Sequence, residues 1–299
     1  MKKTLIVLTV LSLILLSGAT GCPSSTTTTT QAAAAGLNVQ FSTGAPPVSV
    51  NVNQEFPIYI DVTNAGGDYV QAGDAKFYLT GIGPNLENIN PVLSNQRTLN
   101  KESTTPDKLI FAEKAKFTFA LQSLLVMPLA LTDCYTYGTT TQANVCIASS
   151  NESAVCSVSG EKITSDSNSI APVQIGSLTE DVSGNTLRIS FTIMNKLNGQ
   201  IYLPTTDCDK LLQSKDFNEA GKLSKVNIEL RTPEQGMICH LEKTDFPYES
   251  TDALSGITDV GKVVCEKTLT GQDDHVSPLY VILRYKYVSS TTQNLNILP

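Results

Sequence analysis

His240 and His275 are the only imidazoles in the chain, so general-base chemistry near neutral pH has few places to sit. His275 follows Asp273 and Asp274, and a second acidic pair, Asp207 and Asp209, lies upstream. Hard cations want clustered oxygens. If Asp207 converged on Asp273, Asp274 and His275, these loops would describe a surface metal-dependent hydrolase. None of them follows the spacing of a calcium loop, and solvated loop charge is the plainer reading. A serine triad lacks its Gly-x-Ser-x-Gly elbow. The run from Gly256 to Val263 approaches a phosphate-binding loop. It fails because Val263 stands where a hydroxyl must ligate magnesium, and strand-forming valines follow where a helix must begin. Ser159 and Lys162 have the spacing of a lysine-activated serine, without companion motifs. The reading is therefore no catalytic residue, no metal site and no cofactor.

The seven cysteines offer different chemistry. Cys22 stands apart from Cys134, Cys146, Cys156, Cys208, Cys239 and Cys265. It follows Lys2 and Lys3, an apolar run from Leu5 to Leu16, and the small residues Ala19 and Gly21. A basic start, an apolar core and small residues at a cleavage point make an export signal over residues 1–21. The apolar run is shorter than the roughly 20 residues that span a bilayer. Assigning Cys22 a role of its own leaves six cysteines, an even number free to pair in an oxidising compartment. No Cys-x-x-Cys occurs, which disfavours a zinc knuckle or a thioredoxin-type site.

The stretch from Leu16 to Cys22 resembles the lipobox of prokaryotic lipoproteins, with Ala19 where leucine is preferred. The resemblance implies a diacylglyceryl thioether on Cys22 and cleavage before it. Two acyl chains would anchor the chain stably to the outer face of a membrane; without lipid on Cys22 it would be secreted. Residues 22–36, with Thr26 to Thr30 and Ala32 to Ala35, cannot build a core and read as a disordered tether. Asn151 opens an Asn-Glu-Ser sequon, a glycosylation candidate in an exposed interdomain segment.

Charge narrows the partners. The formal net charge is −7, and losing Lys2 and Lys3 with the signal takes it to −9. An acidic chain without a basic run excludes nucleic acid as the expected partner. It leaves the bilayer, through Cys22, and an envelope or extracellular protein or glycan.

The elements that must carry these residues are strands. In Phe56, Ile58, Ile60 and Val62, and again in Leu187, Ile189, Phe191 and Ile193, apolar residues alternate with polar ones, which is the period of a half-buried strand. The two runs also align with each other, ending at Asn64 and Asn195. A longer match, at an offset of 150, aligns Pro128 to Ile147 with Pro278 to Ile297, and Phe77 to Leu79 parallels Ile228 to Leu230. Such a repeat is one unit duplicated, too long for a solenoid. Only Ala115 to Met127 allows a helix, and the alternation of Phe117, Phe119 and Leu121 favours strand for its first part.

Tyr135 and Tyr137, with Tyr285 and Tyr287, share a face with Leu129 and Leu131 and belong in the core. If the chain turns around Thr140, Cys134 lies opposite Cys146 across a hairpin. Their counterparts are Arg284 and Asn296, so both cysteines are present or absent together, as a cross-strand disulfide requires. Cys134–Cys146 and Cys239–Cys265 are the favoured pairs, and Cys156–Cys208 follows by elimination, with other connectivities open.

The alternating run from Phe56, ending in Asn-x-Gly at Asn64 and Gly66, resembles the CARDB-type immunoglobulin-like modules of prokaryotic surface proteins. The pattern Cys134-Tyr-x-Tyr…Val145-Cys-Ile, and the start at Ala171-Pro172-Val173, are similar to archaeal envelope proteins. The resemblance implies an all-β chain of two tandem immunoglobulin-like β-sandwiches, residues 37–150 and 171–299, joined by a linker over 151–170. It implies a structural, adhesive or partner-binding envelope lipoprotein and brings no catalytic residues. The segment Ile82–Lys108 is the expected variable surface.

Overall fold

The computed structural model describes residues 33–299, except 152, 242, 243, 250–252 and 272, with the backbone alone described at the rest of 240–256. The signal, Cys22 and the tether through residue 32 lie outside the described residues. In the first copy the strands are β1 (Leu37–Phe41), β2 (Ser49–Asn51), β3 (Glu55–Asn64), β4 (Ala75–Thr80), β5 (Leu86–Glu87), β6 (Val92–Ser94), β7 (Asp107–Phe117) and β8 (Leu125–Ile147). The alternating residues Phe56, Ile58, Ile60 and Val62 form the buried face of β3, and one sheet runs β1-β3-β7-β5.

The second copy contributes β9 (Val173–Ser183), β10 (Thr186–Asn195), β11 (Gln200–Tyr202), the short helices α1 (Cys208–Leu212) and α2 (Phe217–Ala220), and β12 (Lys225–Arg231). It continues with β13 (Met237–Leu241), β14 (Thr244–Glu249), β15 (Ala253–Asp259), β16 (Lys262–Thr268) and β17 (His275–Leu298). A second sheet runs β14-β13-β16-β10-β9. The third is shared by both copies in the order β15-β12-β17-β8-β4-β6, with β11 and β2 pairing on β17. One continuous apolar core joins the inner residues of all three sheets. The fold is all-β, and the described residues belong to one compact unit.

Two expectations change. Residues 118–124 form neither helix nor strand, so Ala115 to Met127 divides between the end of β7 and the start of β8. More consequentially, the chain does not turn around Thr140. β8 continues for 23 residues and pairs antiparallel with β17 from Leu125 opposite Ile297 to Ile147 opposite His275. The reason lies in the residues. Thr139, Thr140 and Thr141 are β-branched strand formers without the Asn-Gly or Asp-Gly chemistry of a tight hairpin. The buried alternation also runs on through Thr139, Thr141, Ala143, Val145 and Ile147.

The duplication is written into the register. Thr136 pairs with Lys286, its own counterpart 150 positions later, so a local twofold axis passes through that pair. Phe77 lies opposite Asp133 as Ile228 lies opposite Leu283. Leu37 lies opposite Asn64 as Val173 lies opposite Asn195.

Tyr135, Tyr137, Tyr285 and Tyr287 surround the axis, fully buried, with Tyr135 edge-on to Tyr137 at 5.7 Å between ring centroids. Each buried hydroxyl finds partners, as burial requires. Leu37 N–H donates to the Tyr135 hydroxyl (3.2 Å) and Val173 N–H to that of Tyr285 (3.3 Å). Tyr137 donates to Asn64 Oδ1 (3.0 Å) and Tyr287 to Asn195 Oδ1 (3.3 Å). Gly66 lies so close that a Cβ there would stand 2.1 Å from the Tyr137 oxygen.

Candidate functional site

Side chains of β8 and β17 that point away from the core build an outer face: Cys134, Thr136, Gly138 and Thr140 on one strand, and Ile282, Arg284, Lys286 and Val288 on the other. One half of this face is covered by the helical segment between β11 and β12. Asp207 starts α1 by accepting from the N–H groups of Asp209 (2.9 Å) and Lys210 (3.2 Å), and Asp216 starts α2 by accepting from Asn218 N–H (2.8 Å). These are N-caps, which short helices need most. The segment is fixed to the sheet by a disulfide from Cys208 to Cys134. Asp209 reinforces it, accepting from Lys76, from the Tyr78 hydroxyl (2.8 Å) and from Gln213 Nε2 (2.9 Å). The Lys76 ammonium holds the Asp209 carboxyl below the usual carboxylate range. Tyr78, Tyr202, Leu211 and Val288 pack around the disulfide.

The other half of the face is open. A groove of about 600 Å³ crosses β8, β17, β12 and β15, with Thr205 at its edge beside the helical segment. Ile257 and Ile282 supply apolar surface, and Arg231 and Arg284 supply guanidinium groups. Arg231 Nε donates to Glu229 (2.6 Å), and Arg284 Nη1 donates to Asp68 of the first copy (2.6 Å). Arg284 reaches across β8 because residue 138 is glycine: a Cβ there would meet Nη1 at 2.2 Å. Both guanidinium groups keep further N–H donors for a planar acceptor. By the internal symmetry, the groove is the counterpart of the covered half. Arg284 stands for Cys134, Asn227 for Lys76 and Glu229 for Tyr78.

The disulfides differ from two of the expected pairs. Cys134 joins Cys208, Cys146 joins Cys156, and Cys239 joins Cys265 as expected. Cys134 and Cys146 sit twelve positions apart on one extended strand. At about 3.3 Å per residue that is about 40 Å, far beyond the reach of a disulfide. Cys156 is then taken up by the loop that returns beside Cys146, which frees Cys208 for the outer face. Asn151 is exposed; its side chain donates to the Val182 carbonyl (3.4 Å) and accepts from Val182 N–H (3.2 Å).

The acidic residues considered for metal chemistry do not converge. Asp274 accepts from Ser149 N–H (3.2 Å), and His275 contacts the Asp273 carbonyl (2.8 Å) and Glu234 Oε1 (2.9 Å). That carbonyl first, and Glu234 next, raise the imidazole pKa. Lys267 closes the cluster at 3.4 Å from Glu234. Asp207 belongs to the α1 cap, close enough to Lys286 to act on its charge. Lys286 and His275 lie eleven positions apart on β17, about 36 Å at about 3.3 Å per residue. Among the described residues no group of three or more His, Cys, Asp or Glu side chains is placed to hold a metal ion. The His240 side chain lies outside the described residues. Lys162 of the Ser-x-x-Lys match forms an ion pair with buried Glu180 (3.1 Å).

Reading along the chain missed Arg231 and Ile257, because no local motif links residues that the groove gathers from four strands. Arg284 alone carried a signal, as the cationic replacement for Cys134 in the second copy.

No family model and no curated protein matches the chain. Among solved structures it is similar to the secreted serine protease VesC from Vibrio cholerae at 10% sequence identity, with a TM-score of 0.19. That match covers 82% of this chain and 49% of that one, so the chain spans about half of that protein's length.

Proposed function

We propose that the chain is an extracytoplasmic lipoprotein of the cell envelope, built of two tandem immunoglobulin-like domains and serving as a non-catalytic docking module. It is cut before Cys22, carries diacylglycerol on that thiol and stands off the membrane on residues 22–36. One observation supports the docking role above others: the two copies share a single sheet through the full length of β8 and β17. A solute-binding protein works by closing two lobes around a hinge. Here the link between copies is a hydrogen-bonded ladder, further tied by Cys134–Cys208, which suits a rigid body that presents fixed surfaces to a protein or glycan partner. Three disulfides accord with an oxidising compartment.

The test is fractionation of cells expressing the wild type and Cys22→Ser, followed by intact-mass analysis. The expected wild type lacks residues 1–21, carries a diacylglyceryl mass and sediments with membranes, whereas C22S is released. A wild-type chain retaining residues 1–21 in the soluble interior contradicts the proposal.

A further inference from the structure

The outer face of the shared sheet has a raised half and a recessed half. The helical segment with α1 and α2 forms the raised half, and the groove with Ile257, Ile282, Arg231 and Arg284 forms the recessed half. The local twofold axis through Thr136 and Lys286 relates the two positions. A half-turn about an in-plane axis along the boundary between the halves sets each raised half over another molecule's recessed half, closing an isologous pair.

The side chains accord with that fit. Phe217, the first residue of α2, is 91% exposed, the most of any large apolar residue described. It has no role in the segment's own packing, and an aromatic side chain held in water on a short capped helix is what an interface anchor looks like before it is buried. Ile257, 47% exposed, offers apolar surface in the groove. Both halves carry both signs: Asp207, Lys210 and Lys215 on the segment, Arg231 with Glu229 and Arg284 with Asp68 in the groove. Neither half carries a single sign, so a raised half and a groove facing each other are not set against like charge. The chain enters the folded body elsewhere, where Gln174 Nε2 donates to the Ala33 carbonyl (3.1 Å) and Leu37 N–H reaches buried Tyr135. That is the core side of the shared sheet, away from the outer face.

We propose that this outer face is a self-association surface whose partner is a second copy of the chain, with Phe217 of each molecule seated against Ile257 and Ile282 of the other. The proposal deepens the docking reading by naming the partner. It stands on the outer face alone, so it is independent of lipid on Cys22.

Sedimentation of the purified full chain in mild detergent, from about 1 to about 100 µM, tests it by mass action. Wild type and C22S are expected to pass alike from monomer to dimer. Phe217→Asp and Ile257→Asp should each weaken the dimer at least about tenfold, as loss of an interface anchor does. Phe119→Asp, which charges an exposed aromatic outside this face, should leave the dimer unchanged. All three positions are exposed, and an unchanged thermal transition verifies that each variant folds. A monomer at every concentration overturns the inference, and so does a dimer indifferent to both F217D and I257D. Either failure leaves the Cys22 anchor to be judged by its own test.

Discussion

Asp133 occupies on β8 the place that Leu283 holds on β17, and the two copies differ there in a measurable way. Asp133 is 3% exposed, and its carboxyl accepts the Ser289 hydroxyl at 2.7 and 2.9 Å, with no ion pair to a cation among the described residues. Burial pushes its pKa from 3.8 up to about 7, against the opposing pull of Ser289. Because the folded value lies above the unfolded one, folding favours the neutral acid. The stability it contributes is whole below about pH 4 and is lost as pH rises through about 7. Asp133→Asn keeps a group that can bond Ser289 and removes the charge. Denaturant unfolding should find the two proteins similar at pH 4, with D133N the more stable at pH 8 by up to roughly 4 kcal/mol; equal stability at pH 8 would refute a buried, desolvated carboxylate. At this scale much was legible. The four tyrosines fall on the core face because their spacing from Leu129 and Leu131 is even. Asp133 lies on that same even spacing; what the alignment did not reveal is its partner, the Ser289 hydroxyl, 156 positions away across the shared sheet.

Period-two patterning located β3 and β10 because one face of each is buried and the other is not. The same rule failed at β8 in an instructive way. A repeat of about twenty residues in a β protein suggests two strands and a turn, here around Thr140. Threonine is a strand former, and the buried alternation crosses Thr139 and Thr141 without a break. Thr139 is also engaged inside, donating to the Val173 carbonyl at 2.5 Å and lying 3.1 Å from the Tyr285 hydroxyl. Installing the strongest hairpin sequence, Thr139→Asn with Thr140→Gly, should therefore destabilise the protein by about 2 kcal/mol or more. A hairpin at that position would instead tolerate or welcome the change, so thermal unfolding of the double variant separates the two. The helices escaped the sequence for a different reason. At five and four residues they are too short to show a helical period, and they are held by caps, a disulfide and Asp209 rather than by an amphipathic face.

Across the whole molecule, duplication gave one body, because the longest strand of each copy pairs with its counterpart. The repeat was visible in the chain; the sharing of a sheet was not, since an internal alignment reveals equivalent residues and says nothing about whether they touch. That one contact determines the rest. It makes β8 continuous, carries Cys134 away from Cys146, and brings Cys208 of the second copy over the first. Non-reducing proteolysis of the native protein, with mass spectrometry of the linked peptides, tests it most directly. The account predicts Cys134 joined to Cys208, Cys146 to Cys156 and Cys239 to Cys265, with no free thiol among the six. A peptide joining Cys134 to Cys146, or six unmodified thiols, would contradict the shared sheet in the first case and the oxidising compartment in the second.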